Sequence, residues 1–129
     1  MNRPVRIALA VLAALVGWVV LATLCGFAIR AAVPGYTAVE KSMEFTTAML
    51  LARLIASFVA TFGCGAVCAW AARSDWAAAK LLAVALLAVF VPMHLSIWQQ
   101  FPVWYHLTFF ASLAALPLAG FRFATNAQV

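Results

Sequence analysis

The sequence predicts an all-α integral membrane protein, a four-helix bundle of up-down antiparallel topology with both termini cytoplasmic. Three observations carry this. First, 68% of the 129 residues are hydrophobic and 9% are charged, against about half and a quarter in soluble domains. A soluble fold of this size buries too small a share of its surface to hide that much apolar area. Second, four apolar runs approach or exceed the ~20 residues needed to cross the hydrocarbon core. Third, the basic residues fall mostly on one side. With the N-terminus inside, cytoplasmic segments carry Arg3, Arg6, Arg73, Lys80 and Arg122, while outer segments carry Arg30 and Lys41, with Arg53 at the border. That is the positive-inside pattern.

The helices are expected at about residues 5–29, 54–72, 77–97 and 102–121, within a single domain spanning 1–129. The first run has the basic start of a signal peptide and a Gly26-Phe27-Ala28 sequence that fits cleavage. Its apolar stretch is longer than the 7–15 residues of a signal core, so a retained helix is expected. Leu24, just before Cys25, argues against a lipoprotein site. Between the first and second runs, Pro34-Gly35 marks a turn. Residues 36–53 then place Val39, Met43 and Leu50 near one face, with Glu40, Lys41 and Glu44 polar. This reads as an amphipathic outer helix or an outward extension of the second helix. The third and fourth runs form a tight hairpin broken at Gln99-Gln100, with Pro102 suited to a first helical position. Trp98, Trp104 and Tyr105 cluster there, and Trp70 and Trp76 lie at the opposite level, the distribution of an interfacial aromatic belt.

The residues able to carry chemistry are few. His94 and His106 flank the hairpin at similar depth, with Pro92 loosening the helix before His94. They fit a shared ligand site with Arg53, Trp104 and Tyr105, or interfacial histidines bonded to lipid, water or the Gln99 and Gln100 amides. A porphyrin has little room between helices ~8–10 Å apart, and two imidazoles do not complete a zinc site. Arg53 sits where its stem can snorkel to lipid phosphate, or meets an anionic ligand or an acid such as Glu44. On the second helix, Arg53, Ser57, Thr61, Cys64 and Cys68 share one face. Small, weakly polar residues there, Ala60 included, suit close helix packing; the alternative is a pathway or pocket lined by this face, with Arg53 at its outer mouth. Cys64 and Cys68 also have the spacing to bind a soft metal, but small apolar filling is the simpler role, and no metal site is expected.

Several function classes are excluded by what is missing. No Asp or Glu lies in any apolar span, so the embedded carboxylate of small proton-coupled exporters is lacking. Asp75 belongs to the cytoplasmic side and both histidines to the outer side, so no Ser-His-Asp triad assembles. Neither a phosphate loop nor a zinc-protease motif is present, and no soluble segment is large enough to grip nucleic acid.

The sequence Phe101-Pro102-Val103-Trp104-Tyr105-His106, followed by an apolar helix ending Leu118-Ala119-Gly120, resembles the C-terminal hairpin of small uncharacterised bacterial four-helix membrane proteins. The resemblance singles out Trp104 and His106 and implies no activity. The expectation is therefore a small bacterial inner-membrane protein acting non-enzymatically through helix–helix contacts, with lipid and either further copies of itself or another membrane protein as partners. The alternatives are a ligand- or cofactor-binding module using the outer histidines, with the cofactor unspecified, and a small oligomeric transporter.

Overall fold

The structure is a computed structural model that describes residues 1–129. It contains α1 (Arg3–Ala32), a one-turn α2 (Tyr36–Val39), α3 (Thr47–Ala72), α4 (Trp76–Ser96) and α5 (Val103–Ala127), with a single 3-10 turn (Trp98–Gln100) before α5. Four of these helices are long and apolar enough to cross a membrane.

Local chemistry sets the helix ends. Asn2 caps α1 by accepting the Val5 N–H at 3.2 Å, Thr46 caps α3 through the Met49 N–H at 3.3 Å, and Asp75 caps α4 through the Ala77 N–H at 3.1 Å. Each occupies a position that favours a short polar side chain able to satisfy a free N–H. Gly35 adopts φ +77°, which lets the chain reverse after α1. Within residues 36–53, the part from Thr47 is an outward extension of the second long helix, while the part before it is not a continuous amphipathic helix. One helical turn stops at Val39, Met43 turns left-handed at φ 60°, and α3 starts only where Thr46 caps it. At the other extreme, α5 runs past the apolar stretch to Ala127, because nothing after Phe121 breaks a helix. Pro102 stands just before α5 rather than within its first turn.

Arg3 bonds Asp75 at 2.8 Å and Ser74 bonds Gln128 at 3.4 Å, so both chain termini lie at one end of the bundle beside the α3–α4 turn. The opposite end gathers α2, the start of α3 and the α4–α5 turn. We refer to these as the Asp75 end and the Arg53 end.

α3 is the central element and packs against both α1 and α5. Its contact with α5 is backbone against backbone. A Cβ at Gly65 would collide with the Pro117 carbonyl, and one at Gly120 with the Phe62 carbonyl. Small residues that let helices approach closely are the main device of helix association in lipid, where no hydrophobic drive separates tails from side chains. On the α1 side, Trp18 Nε1 donates to Thr61 Oγ1 at 3.0 Å. Phe121, Leu82, Leu86 and Leu113 fill the centre. Leu9, Leu12, Val16, Val19, Val20, Leu24 and Phe27 leave a continuous apolar face of α1 uncovered.

Candidate functional site

Arg53 is carried on α3 between two tyrosines. Its Nη1 donates to Tyr36 Oη at 2.6 Å and its Nε to Tyr105 Oη at 3.4 Å. The guanidinium carbon stands 4.8 Å from the centre of the Phe45 ring, a cation–π arrangement. Phe45 in turn stacks on Tyr36 and Phe101. Tyr36 and Tyr105 are buried, so Tyr105 is not a belt aromatic. The rotation of α5 turns its ring inward while Trp104, one residue earlier, stays on the surface. The Arg53–Glu44 pair does not form. Glu44 precedes the Thr46 cap in extended chain, and the ion pairs of the chain are Arg3–Asp75, Arg6–Asp75 and Arg30–Glu40.

His94 and His106 do share a site. Their Nδ1 atoms are 2.8 Å apart, which leaves no space for a metal ion or porphyrin between them. His106 Nε2 lies 3.2 Å from the Trp98 carbonyl oxygen. A carbonyl only accepts, so in the neutral pair His106 carries its proton on Nε2 and accepts at Nδ1. His94 must then donate from Nδ1, which leaves its Nε2 as a free acceptor. The rings are held by stacking, His94 on Phe109 at 4.2 Å between ring centres and His106 on Trp98 at 4.4 Å. His106 is fully buried, so it positions His94, and His94 is the member that reaches open space.

That space is a cavity of about 280 Å³ at the Arg53 end, bounded by α1, α3, α4 and the start of α5. Arg53, Ser57, His94, Tyr36 and Tyr105 line its polar part, and Trp18, Phe90 and Phe109 its apolar part. The Arg30–Glu40 pair stands on its wall, with three hydrogen bonds of 2.6–3.2 Å from Arg30 to both Glu40 oxygens. Those bonds hold the Glu40 carboxyl below its ordinary range, so it is ionised and occupied. Ser57 is 8% exposed and its Oγ has no hydrogen-bond partner. A buried hydroxyl without a partner is uncommon and costs free energy.

The remaining sequence-derived residues have other roles. Ala60, Thr61, Cys64 and Cys68 are fully buried within the chain, and the Cys64 thiol donates to the Thr61 carbonyl at 3.1 Å. Their face is therefore spent inside one molecule, between α3 and its neighbours. Sequence reasoning missed Gly65, whose place four residues after Thr61 on a small-residue stripe was the available signal. It also missed Tyr36 as a cavity-lining group, which is brought to Arg53 only by the Pro34-Gly35 reversal.

The fold and site together define a small helical bundle with an amphipathic cavity opening near one end. The chain matches no protein-family model, and neither curated proteins nor solved structures give a match.

Proposed function

We propose that the chain is a multi-pass protein of a bacterial inner membrane, with both termini cytoplasmic, and that it binds a small ligand without transforming it. The apolar face of α1 supports insertion, since soluble surfaces rarely carry a continuous apolar patch of this kind. The co-location of both termini at the Asp75 end, beside Arg3, Arg6 and Arg73, supports the orientation.

The observation that carries the binding reading is the convergence on one cavity of three polar residues with hydrogen-bonding capacity to spare: Arg53, His94 and Ser57. Pockets of mixed lining with a few convergent polar groups are the usual form of a ligand site. The Asp75 half of the bundle, closed by Cys68, Leu82 and Phe121, supports binding over passage through a single copy. Action through helix contacts would need a surface other than the Ser57–Cys68 face, because that face is already covered.

Gentle extraction followed by native mass spectrometry tests this reading. Wild-type protein should retain a small molecule, and Ala22→Phe or Ala56→Phe, each of which places a ring in the cavity, should lose it. Equal occupancy of wild type and both variants would contradict the proposal.

A further inference from the structure

We infer that the ligand is an amphiphile with an oxyanion head, a carboxylate or phosphate, whose head rests on Arg53 and whose tail follows Trp18 and Phe90. This rests on the preceding reading of the cavity as a binding site.

Two cations and one anion line the cavity, Arg30, Arg53 and Glu40. Arg30 and Glu40 neutralise each other in an ion pair of 2.6 Å. That leaves one net positive charge, Arg53, whose contacts are two neutral hydroxyls and an aromatic face. A partly desolvated charge is stable when it is paired. Phe45 and the tyrosines moderate the cost but carry no negative charge.

Hydrogen-bonding capacity points the same way. A guanidinium has five N–H donors, and Arg53 uses one on Nε and one on Nη1 within the chain. Its Nη2 group is free to meet a ligand in the forked geometry that fits carboxylate and phosphate. Tyr36 and Tyr105 accept from Arg53, so each still has its own O–H to donate, and neither donates to any group of the chain. Ser57, one helical turn further along α3, lines the same cavity and holds an unspent hydroxyl just beneath its wall. Against these stands one free acceptor, His94 Nε2, suited to a singly protonated acid or phosphate. A pocket so rich in donors is satisfied by an acceptor-rich, negatively charged head.

Size and polarity supply the tail. At about 280 Å³ the cavity is slightly smaller than the ~300 Å³ at which pockets begin to enclose whole ligands. It holds a head and the first part of a chain, and the remainder must leave between helices. Away from Arg53 the lining becomes Trp18, Ala22, Phe90 and Phe109, a path for methylenes.

The test is calorimetric titration of the full-length protein in neutral maltoside micelles with three probes sharing one tail: decanoate, decyl phosphate and decanol. Both anions should bind at least about tenfold more tightly than decanol, a difference of ~1.4 kcal/mol. Arg53→Gln should remove that preference while decanol changes little. Tyr36→Phe and Ser57→Ala, which keep the Arg53 charge, should each weaken the anions several-fold, and they preserve the test if Arg53→Gln does not fold. Tighter binding of decanoate would identify a free fatty-acid-like carboxylate, and tighter binding of decyl phosphate a lipid phosphate. Equal binding of all three probes, unaffected by Arg53→Gln but abolished by Ala22→Phe, would overturn the oxyanion inference and leave the cavity standing. Anion binding unaffected by Ala22→Phe, Ala56→Phe and Arg53→Gln alike would overturn both. Failure of every probe to bind would overturn the oxyanion inference, and retention of a different molecule by the extracted protein would still uphold the cavity.

Discussion

Six glycines are available in this chain, and the structure ranks four of them by what a single methyl group would meet. Gly65 and Gly120 face opposing backbone, the Pro117 and Phe62 carbonyls, so adding Cβ to either forces α3 and α5 apart. Opening a packed contact by 0.5–1 Å forfeits about a quarter to a half of each dispersion well along it, and overpacked cores lose ~1–3 kcal/mol. Alanine returns ~0.8–1 kcal/mol of helix propensity. Gly65→Ala and Gly120→Ala should therefore each destabilise by up to about 2 kcal/mol. One separation relieves both collisions, so the double variant should lose less than the sum. Gly17 is the control: its added Cβ would lie 3.6 Å from Val67 Cγ2, an ordinary contact, so Gly17→Ala should be neutral or stabilising. Gly63 lies between, because its Cβ would meet the movable end of Leu21 at 2.5 Å. Reversible unfolding in mixed micelles with increasing dodecyl sulfate, followed by circular dichroism, reads these differences. If Gly65→Ala and Gly120→Ala unfold together with Gly17→Ala, the backbone contact between α3 and α5 is wrong.

Two further predictions follow from named contacts. Replacing His106 by Phe leaves the His94 Nδ1–H and the Trp98 carbonyl without partners, at ~1–3 kcal/mol for a buried group; His94→Phe keeps the stack on Phe109 and strands only one acceptor. The same unfolding assay should show the larger loss for His106→Phe. At the other end of the bundle, the hydrogen bond from Arg3 is the main reason the Asp75 carboxyl titrates below its ordinary range, with the Ala77 N–H adding to it. A depressed native pKa makes the stabilising contribution complete above the unfolded value of about 4. It is lost as pH falls from there through the native value. Thermal unfolding of the wild type should thus weaken on acidification below about pH 4, and Asp75→Asn should flatten that part of the profile. An unchanged profile would remove Asp75 from the account.

Much of the fold was legible because long apolar runs of this length are satisfied most simply as helices. Four long runs had to become four helices, and the Pro34-Gly35 turn and the Gln99-Gln100 break marked where the chain reverses. The helix limits were harder to read, because hydropathy ends where lipid would end while a helix continues until something breaks it, as α5 does to Ala127. The site was half legible. His94, His106, Arg53 and Tyr105 stand out by rarity in an apolar chain. Whether they meet depends on helix rotation: one residue separates Trp104 on the surface from Tyr105 against Arg53. Ser57 suited both close packing and a pocket wall, and its place on the cavity with a partnerless hydroxyl favours the second.

The binding proposal requires a ligand in the cavity at the Arg53 end. Native mass spectrometry of wild-type protein beside Ala22→Phe, released from the same gentle extraction, tests it most directly. Wild-type protein should carry a defined small molecule, at one per chain, and the variant should lose it. Wild-type and variant chains with identical bound mass, or an empty wild type from every extraction, would contradict it.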